Sequence, residues 1–105
     1  MRELKFCVEG QRLQKDPGCD FSGLVPGSRH YIETCFMFDE DWDNCVCVAE
    51  FFGEYGDTDA VLIENGKCEV PGIVLDGHSF SMRIVGKRND GYYIVTNKIK
   101  ITQGG

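Results

Sequence analysis

Apolar residues recur along this chain at every second position, the period of an extended strand, rather than at the spacing of an amphipathic helix. Leu4, Phe6 and Val8 alternate with polar or small neighbours until Gly10 breaks the run. The stretch from Asp16 to Gly27 contains Pro17, Gly18, Gly23, Pro26 and Gly27 and reads as loop. A strand is predicted from Arg29 to Phe38, with Ile32, Thr34, Phe36 and Phe38 on one face. Tyr31, Glu33, Cys35 and Met37 take the other, and both faces are expected to be at least partly covered. After an acidic turn, Cys45, Cys47, Ala49 and Phe51 point one way and Val46, Val48, Glu50 and Phe52 the other.

Gly53 to Asp57 reads as a hairpin loop and Ala60 to Glu64 as a strand. Asn65-Gly66 is the favoured dipeptide of a two-residue type I′ turn, so Lys67 to Val70 is predicted as the returning strand. Pro71 has a φ suited to the first helical position, and Pro71 to Leu75 is expected to form one turn of helix. Phe80, Met82 and Ile84 alternate with Ser79, Ser81 and Arg83, as in a half-buried antiparallel strand. Asn89-Asp90-Gly91 marks another turn, and strands Tyr92 to Thr96 and Lys98 to Thr102 follow, with Ile99 and Ile101 inward. About eight short strands with regularly spaced turns predict an all-β fold, an antiparallel β-sandwich of immunoglobulin-like or related topology with at most one short helical turn. Its 105 residues suit a single domain, 1–105, and Gln103-Gly104-Gly105 reads as a frayed end or the start of a linker.

Charge narrows the partners. The 17 acidic against 11 basic residues give a net charge of -6, which repels phosphate backbones and anionic bilayers, so neither nucleic acid nor membrane is expected. No apolar run reaches the length of a signal-peptide core or a membrane span, which predicts folding in the cytoplasm without a signal peptide. The six cysteines, at 7, 19, 35, 45, 47 and 68, lack the paired spacing of a zinc site and read as free thiols, several of them small core residues. Cys45 and Cys47 share a strand face, but nothing in the spacing selects further ligands from Cys35, Cys68, His30 or His78.

The segment Asp39-Glu40-Asp41-Trp42-Asp43 encloses the only tryptophan in carboxylates. Counted as a calcium loop, Asp39, Asp41, Asp43 and Glu50 fall at ligand positions and Asn44 replaces the usual glycine. Such a loop needs helices on both sides, whereas these flanks alternate as strands; a solvated acidic turn anchored by Trp42 is the expected form. Signals for catalysis are thin: Ser79 and Ser81 lie near His78 without a fixed base, and nothing sets Glu50 and Glu64 across a cleft. No enzymatic activity and no cofactor are expected.

Several motifs nevertheless stand in a definite order: Phe6-x-Val8-x-x-Gln11, Tyr31, Phe36-x-Phe38, Asp41-Trp42-Asp43, Ala49-x-Phe51, Gly66-Lys67-Cys68-Glu69-Val70-Pro71, Phe80-Ser81-Met82-x-x-Val85-Gly86 and Ile94-x-Thr96-Asn97. This series resembles the small β-sandwich proteins of phage and prophage tail modules in Gram-positive bacteria, similar to the N-terminal domain of phage baseplate upper proteins. The resemblance runs from about Leu4 to Ile101 and implies a virion structural protein that contacts other tail or baseplate proteins, repeats as a homo-oligomer and moves from the host cytoplasm to the virion tail. It gives Trp42, Ala49, Phe51, Cys68, Val70, Pro71, Phe80 and Gly86 the role of structural landmarks. Gly72-Ile73 departs from the family, which often carries a bulkier residue and a carboxylate there. Two alternatives remain: a carbohydrate-binding sandwich using Tyr55, Tyr92 and Tyr93, and a calcium-dependent module using residues 39–50. Exposed strand edges are the attachment candidates, because an unpaired edge accepts a partner strand.

Overall fold

Alternation along the sequence becomes two sheets whose apolar faces meet. In the computed structural model, which describes residues 1–104, the strands are β1 (Arg2–Glu9), β2 (Arg12–Lys15), β3 (Ile32–Phe38), β4 (Val46–Gly53), β5 (Thr58–Leu62), β6 (Lys67–Glu69), β7 (Ser79–Lys87), β8 (Tyr93–Val95) and β9 (Ile99–Thr102). One sheet has the order β2-β1-β3-β6; the other runs β5-β4-β7-β8, with β9 also paired to β7. Leu4, Phe6 and Val8 of β1 and Ile32 and Phe36 of β3 are buried, as are Ala49 and Phe51 of β4, Phe80, Met82 and Ile84 of β7, and Ile101 of β9. Together they form one hydrophobic core. The all-β sandwich expected from the sequence is therefore present, and its helical content is two short 3₁₀ turns, Glu40–Trp42 and Gly72–Val74.

Several details differ from the sequence reading. β2 was not expected; it pairs with β1 through Glu9 opposite Arg12, with Gly10 at φ +56° opening a two-residue turn. β1 and β3 run parallel, so the sandwich is not antiparallel throughout. A parallel pair needs a long crossover, and the Pro- and Gly-rich stretch after β2 supplies it. β3 starts at Ile32 rather than Arg29, because His30 adopts φ +56° and bends the chain. Its outer face is partly covered at Glu33 and Cys35, as expected, and open at Met37, which is 70% exposed.

Asn65 and Gly66 both take positive φ, +54° and +74°, as a type I′ turn requires. The returning strand nevertheless joins the opposite sheet: β5 pairs with β4, whereas β6 pairs with β3, so the chain changes layers at Ile63 and Glu64. Pro71 precedes its helical turn in extended conformation instead of opening it. Gln103 is fully buried, and its side-chain amide donates to the carbonyls of Leu75 and Gly77, so the chain is anchored there instead of fraying. Gly105 lies outside the described residues.

Asn97 ties the two layers together at one side. Its Oδ1 accepts from the Leu13 N–H at 2.7 Å and its Nδ2 donates to the Leu13 carbonyl at 3.2 Å. This side chain imitates one rung of a β-ladder and occupies the open edge of β2.

Candidate functional site

The acidic segment folds upon itself. Asp39 sits in extended conformation ahead of the 3₁₀ turn, and its carboxylate accepts from the Asp41 N–H at 3.1 Å, the usual way a short acidic side chain caps a helical start. Its other oxygen accepts from the Gly10 N–H at 2.8 Å, while Trp42 Nε1 donates to the Gly10 carbonyl, also at 2.8 Å. Both backbone groups of Gly10, in the β1–β2 turn, are thus held by residues of the acidic segment. The indole is 3% exposed and packs on Phe38 with ring centroids 5.3 Å apart.

The remaining acidic residues serve mainly through their backbones. Arg88 donates from Nε to the Asp43 carbonyl at 2.8 Å, and its guanidinium lies 3.8 Å from the centre of the Tyr92 ring. The Tyr92 hydroxyl in turn donates to the Asp41 carbonyl at 2.7 Å. Asn44 adopts φ +63°, the left-handed conformation that the sequence allowed at that point. Glu50 is held elsewhere, on β4, where it pairs with Arg83 directly across the sheet. Among the described residues Asp39, Asp41, Asp43 and Glu50 do not converge on a common point. The group with metal-ligand proximity is a different one, Glu3, Glu33 and Cys35. Lys67 already pairs with Glu3 and lowers its pKa, chiefly through that hydrogen bond.

The three tyrosines do not form one platform. Tyr92 is engaged with Asp41 and Arg88, Tyr55 lies in the β4–β5 loop, and Tyr93 pairs with Lys87 near the start of β4. Tyr55 and Tyr93 are therefore separated by the length of β4, roughly 25 Å for an eight-residue strand. His78 is exposed and contributes its backbone N–H to Glu54 Oε1. Glu64 sits in the layer-changing connection opposite Lys67, on a different element from Glu50.

The landmark residues come together in the interior. Ala49, Phe51, Val70 and Phe80 are at most 1% exposed, and Cys68 is buried beside Thr34, whose hydroxyl donates to the Cys68 carbonyl at 2.9 Å. Gly86 faces the Trp42 indole. All six cysteines are free thiols. Burial pushes Cys47 and Cys68 up to about 11, so both stay protonated. The concave features are surface depressions: one of about 310 Å³ is bordered by Glu3, Lys5, Cys35, Met37 and Lys67, and one of about 220 Å³ by Val46, Val48, Val85, Lys87 and Tyr93.

The second depression marks what the sequence reading missed. Leu62, Val48, Val85 and Val95 stand in one register across four strands. The signal was present in β4, whose outward positions are mainly apolar, but the row forms only once the strand order is known. Among the described residues no helix is long and apolar enough to cross a membrane. Comparison with protein-family models, with curated proteins and with solved structures finds no match to this chain.

Proposed function

We propose that the chain is a non-enzymatic structural module of a phage or prophage tail or baseplate, working by attachment to other tail proteins. The observation that carries this reading is the ordered motif series and its resemblance to baseplate β-sandwich domains. Trp42, Ala49, Phe51, Cys68, Val70 and Phe80 of that series all belong to the one hydrophobic core, which suits a scaffold whose outer surfaces do the work. Repetition around a symmetric tail would multiply each weak contact. Synthesis in the host cytoplasm followed by incorporation into the virion completes the reading.

Immunogold labelling of particles from an induced culture tests it. Gold at the tail tip is the expected result, and particles with unlabelled tails would remove the proposal. The carbohydrate reading has less support, because Tyr92 is occupied internally and Tyr55 and Tyr93 lie at opposite ends of β4.

A further inference from the structure

The two outer faces of the sandwich differ in chemistry. On the β1–β3 sheet the outward positions are mixed in kind, with charged Glu3, Lys5, Glu9 and Glu33 around Cys7, Cys35 and Met37, so no continuous apolar row forms along β1 and β3. On the other sheet Leu62, Val48, Val85 and Val95 lie directly opposite one another on β5, β4, β7 and β8. Directly opposed residues of antiparallel strands share a face, so these four make a continuous apolar row roughly 14 Å long. Val46 and Tyr93 extend it on one side, and Leu62, Val46 and Tyr93 are 49%, 55% and 64% exposed. Strand propensity alone accounts for valines and a tyrosine here, but not for a half-exposed leucine or for their contiguity in one patch.

The charge around this row is opposite to that of the chain. Arg83, Lys87 and Lys100 share the face by register, and Lys98 joins them with Nζ 3.9 Å from the Phe52 ring centre. Glu50 is the carboxylate on these strand positions, and Arg83 neutralises it. Four cations against one carboxylate give this face +3, although the chain carries -6. We infer that the outer face of the β5-β4-β7-β8 sheet docks an amphipathic helix of a partner protein, its apolar stripe along the row and its carboxylates toward Lys87, Lys98 and Lys100. A helix of about ten residues spans about 15 Å, the length of the row.

A second copy using the same face would set cations against cations. A bilayer fits poorly because the row lies flat in the sheet between charged side chains. The inference rests on the attachment reading only in taking the partner to be a protein.

The test is an NMR titration of the full chain with a synthetic helical peptide carrying a leucine stripe flanked by glutamates. Amide shifts should cluster at Val48, Leu62, Val85 and Val95. The variant Val48→Thr/Val85→Thr, which preserves β-branching, should weaken binding at least about tenfold, as should a peptide with lysines replacing the glutamates. Equal binding by the lysine peptide or by a scrambled one, shifts elsewhere, binding to phosphatidylglycerol vesicles instead, or self-association through this face would each overturn it. Particle incorporation separates the two readings. A double variant incorporated as well as wild type overturns the docking face and leaves attachment standing, whereas a wild-type chain missing from particles removes attachment and the titration alone decides the face.

Discussion

Trp42 fills the space that a side chain at Gly86 would occupy: a Cβ built on Gly86 would lie 2.7 Å from Cζ3 and 2.8 Å from Cε3 of the indole. The indole has little room to yield, because its Nε1 is bonded to the Gly10 carbonyl and its ring packs on Phe38. The acidic segment, the β1–β2 turn and β7 are thus joined through one aromatic side chain.

Gly86→Ala should therefore destabilise the fold by about 1–3 kcal/mol through overpacking. Trp42→Ala should cost about 3–5 kcal/mol. In the Trp42→Ala background the added methyl should be nearly neutral, so a double-mutant cycle followed by urea unfolding should give a coupling well beyond additivity. Additive effects would mean that the two residues do not meet.

The carboxylates of the acidic segment are not equivalent. Asp39→Ala removes the acceptor for the Gly10 and Asp41 N–H groups and should cost about 0.5–2 kcal/mol. Neutralising Asp41 or Asp43 to asparagine should change stability by no more than about 0.5 kcal/mol, since their side chains are exposed and their ordered contacts are made by backbone. Thermal melts of the three variants, with and without calcium, would check this, and calcium is expected to leave the melting temperature unchanged.

Asn97→Ala should open one side of the sandwich. The part-buried Leu13 N–H and carbonyl each lose a partner, at a cost of about 1–2 kcal/mol. Hydrogen exchange should accelerate most at the Leu13 amide and its β2 neighbours, while amides of β4 and β7 keep their protection. Uniform acceleration across the domain would instead point to global destabilisation.

Thiol chemistry gives a pH-dependent test. Cys47 and Cys68 ionise at about 11 when folded, against an ordinary thiol value of 9.0, because burial disfavours the thiolate. The folded state holds these protons more tightly, so their contribution is complete below pH 9 and is lost as pH rises from 9 toward 11. Stability measured by denaturant should fall over that window and fall less in a Cys47→Ala/Cys68→Ala variant. At about pH 8 neither thiol should react with a disulfide reagent until the chain is unfolded, when all six should titrate.

Much of the architecture was legible because burial on one face imposes alternation. β7 is the clearest case: Phe80, Met82 and Ile84 are buried, and Ser79, Ser81 and Arg83 are partly exposed. The Asn65-Gly66 turn was legible because few residues tolerate its positive φ values. β2 escaped because it has four residues and buries only Leu13, too little for a period to show. Strand direction and layer membership are not encoded in alternation, which is why the parallel β1–β3 pair and the change of layer at Ile63 appeared only in three dimensions. The same holds for the apolar row, whose members come from four strands. The anchoring role of Asp39 is invisible in the sequence because its partner, Gly10, lies 29 positions earlier in the chain.

Quantitative mass spectrometry of gradient-purified particles from an induced culture tests the central claim most directly. The chain should co-sediment with intact particles, at a fixed ratio to the other tail proteins and in more than one copy per tail. Recovery of the chain solely in the soluble fraction, with none in intact particles, would contradict the assignment as a tail component.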